Sequence, residues 1–186
     1  MPPDGSTVYT SINSPYTAYV RGLEADFQTR FWYLPAPLDG VVLGINYTRI
    51  SSSANYPYYQ EIQSGRNVIP VLSTRTDRLV YQPNDVLNTY VGYDYGGFSG
   101  RVSFVFQGNV ITNIGTYPEQ EGFSKDYFRM DISARQKLPW VDGLQLYLDV
   151  NNLNNEANIS TQPSIGGFTL EQYYGLTADL GIRFTM

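Results

Sequence analysis

Apolar and polar side chains alternate along most of the chain, most clearly at its carboxyl end. From Tyr174 to Met186 every second residue is apolar, and the residues between them are small, polar or charged. A period of two residues is typical of a β-strand with one apolar face. Because Asp179 and Arg183 lie on the other face, the segment is more typical of the closing strand of an outer-membrane barrel than of a soluble core strand.

The same alternation predicts six further strands upstream. It runs over 18–32, 41–50, 87–95, 98–107, 127–138 and 144–151, and a weaker strand is possible from Thr7 to Ile12. Gly96 and Gly97 separate two of these strands and form a strong hairpin signal. The chain is therefore predicted to be all-β, with seven or eight antiparallel strands and very little helix.

The connections between these strands alternate between short and long. The short ones are 34–40, 96–97 and 139–143, whereas 51–85, 108–123 and 154–172 lack a regular period and are predicted to be long loops. Up-and-down barrels of the outer membrane have this asymmetry, with short periplasmic turns and long extracellular loops. We therefore predict an up-and-down membrane β-barrel whose long loops all lie at one end.

Each predicted strand has one apolar face and one face that carries most of the charge. In a membrane barrel the apolar face contacts lipid and the polar face lines the lumen. The side chains predicted to face lipid include Phe104, Ile132, Leu146, Leu148 and Leu180. The charged side chains predicted to face the lumen are Glu24, Asp26, Arg30, Arg101, Arg129, Asp131, Arg135, Lys137, Asp149, Asp179 and Arg183.

Composition excludes several kinds of chemistry. The 186 residues contain no cysteine and no histidine, so catalysis by thiolate or imidazole, and the metal sites built from those groups, are excluded. We predict no catalytic residue, no metal site and no cofactor, and we expect that the chain is not an enzyme. The formal net charge of −5 and the lack of a Lys/Arg block argue against nucleic acid as a partner.

Tyrosine is unusually common, with 17 copies, and several tyrosines cluster in the first long loop. Tyr56, Tyr58 and Tyr59 could form a stacking platform, and we predict them as ligand-contacting residues, although loop tyrosines also pack on neighbouring loops. The acidic side chains of the long loops lack the spacing of a calcium-binding loop and are expected to be solvated surface. They are Glu61, Asp77, Glu119, Glu121 and Asp126.

Several segments, taken in order, resemble a known family. They include Tyr19-Val-Arg-Gly-Leu-Glu24, Asn88-Thr-Tyr-Val-Gly-Tyr93, the stretch from Leu144 to Glu156 and the stretch from Tyr173 to Phe184. Together they resemble the carboxyl-terminal β-barrel of TonB-dependent outer-membrane receptors. The resemblance implies an outer-membrane barrel of about 22 strands, filled by an amino-terminal plug. It also implies import of siderophores, cobalamin or glycans, with energy relayed from the inner membrane.

The resemblance divides the chain into a leading segment, 1–14, and a barrel segment, 15–186. Seven or eight strands of a wide barrel leave two unpaired edges, which are costly in hydrocarbon. Because no secretory signal is recognisable at the amino terminus either, we expect a fragment of a receptor that is not active alone. The expected partners are the lipid bilayer, the rest of the barrel, the plug and, through the plug, the TonB complex.

Two other interpretations fit the same pattern. The strands could close on themselves into a small membrane barrel with a structural or adhesin-like role. The chain could also be a soluble β-protein that binds carbohydrate through its tyrosines. A requirement for detergent separates the soluble protein from the two membrane proteins. Pairing between the leading segment and the last strand separates the self-closing barrel from the fragment.

Overall fold

The structure, a computed structural model, describes residues 13–185. The regular elements of this part are β-strands and three short 3₁₀ turns, at Leu38–Gly40, Pro118–Gln120 and Pro163–Ile165. No helix among the described residues is long and apolar enough to cross a lipid bilayer. The weak strand predicted from Thr7 to Ile12 lies outside the described residues.

Twelve strands lie along the described part of the chain. They are β1 (Tyr19–Arg30), β2 (Val41–Ser64), β3 (Asn67–Asp77), β4 (Asp85–Tyr95), β5 (Phe98–Gln107), β6 (Ile111–Asn113), β7 (Gly122–Ser124), β8 (Tyr127–Lys137), β9 (Leu144–Asn151), β10 (Ala157–Gln162), β11 (Gly167–Tyr173) and β12 (Thr177–Phe184).

Eight of these strands form one antiparallel sheet. Seven lie side by side in the order β1-β2-β4-β5-β8-β9-β12, and β3 joins the sheet by pairing with β2. Below, the main sheet means these seven strands. The order follows the chain, because β3, β6, β7, β10 and β11 belong to the connections between the seven. These seven strands are the ones that the alternation predicts. Their boundaries differ from the predicted ones by a few residues, except at the end of β2, which continues past the predicted end at residue 50 to Ser64. The predicted up-and-down, all-β architecture is confirmed.

The prediction of an irregular loop over 51–85 is wrong for most of its length. β2 continues without a break to Ser64, and its second half pairs with β3 from Ala54 opposite Asp77 to Ser64 opposite Asn67. Both faces of this hairpin are partly exposed, so nothing imposes the alternation of apolar and polar residues that identifies a strand. Gly65, with a φ of +62°, supplies the backbone conformation that a two-residue hairpin turn needs.

The other two long connections also contain strands where irregular loops were predicted. β6 and β7 lie between β5 and β8, whereas β10 and β11 lie between β9 and β12. The four pair with one another in the order β11-β10-β7-β6 and form a second, smaller sheet. Because two of these strands have only three residues each, they are too short to show a period in the sequence. Pairing across different connections holds them in place.

The register of the main sheet shows which side chains share a face. Asp149 lies opposite Asp179 on β12 and opposite Ser133 on β8, and Ser133 in turn lies opposite Arg101. Residues that lie directly opposite each other in an antiparallel pair point to the same side. Followed across all seven strands, the register places the eleven charged residues predicted for the lumen on one face. The five predicted to contact lipid lie on the other face.

The apolar face of the main sheet is open, not packed against a second layer. Leu148 is 37% exposed and Leu180, directly opposite it, is 80% exposed. Among the described residues the buried apolar side chains are Val42, Ala54, Val110 and Ile111. Val110 and Ile111 lie in the connection after β5, and Ala54 lies at the base of the β2–β3 hairpin. The small packed interior is therefore formed largely by the long connections, and the sheet itself lacks the core of a soluble sandwich.

The main sheet is not closed within the part of the chain that the structure describes. Strand β1 pairs only with β2, and β12 pairs only with β9. Each of these edge strands therefore presents a row of backbone N–H and C=O groups on one side without a partner strand. An open sheet of seven strands is the form expected of a part of a larger barrel.

Candidate functional site

The β2–β3 hairpin positions the three tyrosines that the sequence singles out. Successive residues of a strand point to opposite faces, so Tyr56 and Tyr58 share one face while Tyr59 points to the other. Arg75 lies directly opposite Tyr56 on β3 and therefore also shares the face of Tyr58. The hairpin thus presents tyrosine on both of its sides.

Tyr58 and Tyr59 line a cleft between the hairpin and the connection that follows β6. The Tyr59 ring lies 6.3 Å from the Tyr117 ring, centroid to centroid, with the two planes inclined by 39°. The Tyr59 backbone N–H donates a hydrogen bond of 2.8 Å to the carbonyl of Thr116, which fixes the connection against the strand. The cleft has a volume of about 520 Å³, which is within the usual range for a small-molecule site. The remaining lining residues are Gln60, Glu61, Pro118, Glu119, Gln120 and Ser164.

Tyr56 is not part of this cleft. Its hydroxyl donates a hydrogen bond of 3.3 Å to the backbone carbonyl of Arg78, which directly follows β3 at the base of the hairpin. This contact holds the base of the hairpin to the segment that leads into β4. Of the three tyrosines, the structure brings two together at a cavity and gives the third a local packing role. Ligand contact by any of them stays a prediction.

Arg75 on β3 and Glu121, the residue after the lining residue Gln120, form an ion pair. Arg75 also lies 5.7 Å from the centre of the Tyr58 ring, so its guanidinium contacts an aromatic face and a carboxylate at once. The side chains of Arg75 and Glu121 are only 18% and 7% exposed. The expectation that Glu121 is solvated surface is therefore wrong. Its partner on β3 neutralises it inside the packed connections.

Tyr117, Gln120 and Ser164 have no sequence signal that marks them as members of a site. They come from two different connections. The one that carries Tyr117 is bonded to Tyr59 through the carbonyl of Thr116, and the one that carries Ser164 pairs with β7. Tyr117 precedes Pro118, which begins a 3₁₀ turn, and this dipeptide predicts only a change of chain direction. The tertiary arrangement is what reveals the second half of the cleft.

The turn after β9 is held by two asparagine side chains. Buried Asn152 donates from its Nδ2 to the carbonyls of Glu156 (3.1 Å) and Gly175 (3.0 Å), and its Oδ1 accepts from the Glu156 N–H (2.7 Å). Asn154 accepts from the Met130 N–H (2.9 Å) and donates to the Phe128 carbonyl (2.6 Å). Asn154 thereby continues the hydrogen bonding of β8 beyond the last residue of β9 that pairs with it. These residues form part of the Leu144 to Glu156 segment that carries the family resemblance.

A comparison with protein families agrees with this architecture. The family model described as TonB dependent receptor-like, beta-barrel matches residues 1–153. The chain belongs to this family. The matched residues extend from the amino terminus through β9 and so include six of the seven strands of the main sheet. Comparisons with curated proteins and with solved structures gave no match.

Membership in the TonB-dependent receptor family indicates which face of the sheet contacts lipid and which lines the lumen. Barrels of this family lie in the outer membrane, and the family consists of transporters, not enzymes. The apolar face that carries Leu148 and Leu180 is then the face toward lipid, and the charged face is the wall of the lumen. The sheet thus has the two surroundings that its alternating sequence predicts.

Tyrosines cover glycines on the lumenal wall of this TonB-dependent receptor barrel. Tyr90 lies directly opposite Gly44, and Tyr147 lies directly opposite Gly181. A side chain at either glycine would overlap the tyrosine ring, since an added Cβ would lie within 2.9 Å of three ring or hydroxyl atoms. The tyrosine rings therefore lie over the glycine backbone. Glycine weakens a strand because it has no side chain to pack, and the tyrosine ring fills this space.

Charge is segregated along the lumenal wall. The basic residues Arg30, Arg101, Arg135, Lys137 and Arg183 lie at the short-turn ends of their strands, whereas Glu24, Asp26, Asp131, Asp149 and Asp179 lie further toward the long connections. Two side chains depart from this separation: Arg129 pairs with Asp131 near the long connections, and Asp94 lies near a short turn. Arg101 forms a two-bonded pair with Asp94, with both bonds 2.8 Å long. No salt bridge within the described residues involves the other four basic side chains. The wall therefore presents a basic band to whatever fills the lumen near the short turns.

Proposed function

We propose that the chain is the wall and extracellular-loop segment of an outer-membrane nutrient uptake receptor that imports a siderophore, cobalamin or a glycan. Family membership, which is shown over residues 1–153, is the observation that carries this proposal. The two-faced sheet supports it, because one face suits lipid and the other suits a wet lumen. The structured long connections support it as well, since a receptor needs a defined surface where ligand first binds.

The open edges of the sheet support the proposal that this segment works only inside a larger barrel. Each edge strand, β1 and β12, has a partner on one side alone among the described strands. In hydrocarbon an unpaired backbone group costs several kcal/mol, so further strands must close the wall. A plug domain would then fill the lumen and relay energy from the TonB complex. The segment alone transports nothing in this proposal.

Tyr58 and Tyr59 are proposed to contact the transported ligand. Both line the 520 Å³ cleft among the long connections. This cleft lies at the end of the sheet opposite to the short turns. A ligand held there would be bound outside the membrane, at the entrance of the lumen. Tyr56, whose hydroxyl is bonded to the Arg78 carbonyl, is proposed to support the hairpin without contacting ligand.

Energy-dependent uptake is the experiment that tests the proposed function. The gene that encodes this chain, with all of its in-frame flanking sequence, is deleted and then restored in cells grown on labelled siderophore, cobalamin or oligosaccharide. The proposal expects uptake of one nutrient class to disappear on deletion, to return with the gene, and to stop when the proton gradient is abolished. Unchanged uptake of all three classes after deletion would contradict it.

A further inference from the structure

We infer that the cleft between Tyr59 and Tyr117 binds a neutral, hydroxyl-rich ligand, that is, an oligosaccharide, and excludes polyanions. The inference rests on the proposed function and names the ligand class for the same receptor. It is carried by three features of the lining: its charge, the geometry of its rings and its set of hydrogen-bonding groups.

The charge of the lining disfavours anions. Glu61 and Glu119 both line the cavity, and no lysine or arginine is among its lining residues. The neighbouring Arg75 is occupied on both sides, by Glu121 and by the Tyr58 ring, and it does not line the cavity. A carboxylate, phosphate or sulfate group on a ligand would therefore meet two like charges and find no cation to pair with.

Two neighbouring aromatic rings give the lining an apolar surface. The centres of the Tyr59 and Tyr117 rings lie 6.3 Å apart, with the ring planes inclined by 39°, and both residues line the cavity. An aromatic ring offers an electron-rich apolar face and, in tyrosine, a polar hydroxyl at its end. The C–H groups of a pyranose ring carry a weak positive partial charge and match such a face. The hydroxyl groups of the same sugar point outward to the polar rim.

The polar rim offers both donors and acceptors. Gln60, Gln120 and Ser164 each contain a group that donates and a group that accepts, whereas Glu61 and Glu119 only accept. A vicinal pair of sugar hydroxyls also donates and accepts at once, so it can use every one of these groups. A simple cation could use only the acceptors and would leave the amide donors without a partner. The full set of rim groups therefore fits a neutral polyol better than a cation.

The experiment compares three hexasaccharides of equal length and different charge. The complete receptor, purified in detergent, is titrated in a calorimeter with the hexamer of N-acetylglucosamine, which is neutral, of glucosamine, which is cationic, and of galacturonic acid, which is anionic. We expect the neutral probe to bind at least about tenfold more tightly than the anionic one. Tyr59→Ala and Tyr117→Ala should each weaken binding of the neutral probe about tenfold, because each removes one of the two aromatic surfaces of the cleft.

Matched variants separate the cleft from the rest of the surface. Tyr174→Ala removes a tyrosine that is also exposed and also near the long connections but lies outside the cleft, and it should leave binding unchanged. The double variant Glu61→Gln with Glu119→Gln should raise the affinity for the anionic probe. The ratio between the affinities for the neutral and the anionic probe should therefore become smaller. Circular dichroism and gel mobility show that each variant is folded.

Several outcomes would overturn the inference. Tightest binding of the galacturonic acid hexamer, binding of the glucosamine hexamer alone, or no binding of the neutral probe at millimolar concentration would each do so. Loss of binding on Tyr174→Ala but not on Tyr59→Ala would place the site elsewhere. If the receptor imports a nutrient that is not a neutral glycan, the inference fails while the uptake function stands. If energised uptake is absent altogether, the proposed function itself fails.

Discussion

Arg75 on β3 and Glu121 immediately before β7 form an ion pair that joins two separate connections of the barrel. The pair fastens the projecting hairpin to the neighbouring loop, and both side chains are largely withdrawn from water. It is the one ion pair of the described residues that links the hairpin to the small packed interior around Ile111.

Removing one member of this pair should loosen the loops without disturbing the sheet. Arg75→Ala leaves the Glu121 carboxylate buried and unpaired, which costs about 3 to 5 kcal/mol in comparable sites. Hydrogen exchange should then accelerate in 111–124 and not in β8 or β9. The double variant Arg75→Met with Glu121→Leu serves as the control and should lose much less protection, because no charge is left unpaired. Equal loss in the single and double variants would contradict the ion-pair explanation.

The lipid face should reject charge at the centre of the membrane. We expect Leu148→Arg to destabilise the folded barrel by about 2 to 4 kcal/mol if it lies near the bilayer midplane, because arginine would face hydrocarbon there. Asp149→Asn, one residue along the same strand but on the lumenal face, should cost much less. Reversible unfolding in urea with lipid vesicles measures both. A larger effect at Asp149 than at Leu148 would reverse the assignment of the faces.

The two ends of the sheet should lie on opposite sides of the outer membrane. A specific protease site inserted between Gly65 and Arg66, in the hairpin turn, should be cut when protease is added to intact cells. The same site inserted between Asp142 and Gly143, in a short turn, should be cut only after the membrane is permeabilised. Both positions are exposed turns, so accessibility of the turn itself does not differ. Cutting at 142–143 in intact cells would contradict the topology.

The asparagine side chains after β9 should be important for the fit of the last strand. Asn152→Ala removes three hydrogen bonds to partly buried backbone groups of Glu156 and Gly175, each of which contributes about 0.5 to 1.5 kcal/mol. We expect β12 to exchange its amide hydrogens faster in this variant. Asn151→Ala, at the neighbouring exposed position, is the control and should have little effect. No change in β12 would show that its pairing with β9 suffices alone.

The main sheet could be predicted from the sequence because each of its strands lies between two different surroundings. Leu146, Leu148 and Val150 must alternate with Gln145, Tyr147 and Asp149 when one side meets lipid and the other meets the lumen. The second half of β2 has similar surroundings on both sides, so its apolar and polar residues do not alternate and the sequence does not mark it as a strand. The sequence predicted the wall and missed the hairpin for the same physical reason.

The candidate cleft was only partly predictable. Tyr58 and Tyr59 could be selected because they are adjacent aromatic residues in a polar loop, but Tyr117 reaches Tyr59 through contacts between separate connections. Glu121 was misjudged as surface because its partner, Arg75, is distant in the sequence and close only in the fold. A contact made between distant segments leaves no local pattern, whereas a face that meets lipid does.

The unusual length of β2 has a consequence at the cell surface. Its 24 residues would extend about 80 Å if straight, although about 9 to 11 residues suffice for a strand to cross the membrane. In the topology proposed here, with the long connections outside the cell, the turn at Gly65 and Arg66 would project beyond the membrane and be open to antibodies and bacteriophages. Because Gly65 and Arg66 are exposed and lie beyond the part of β2 that pairs with β1 and β4, we expect that their sequence can change without disturbing the main sheet. A cell could thus alter what an immune system or a phage recognises while it keeps the same barrel.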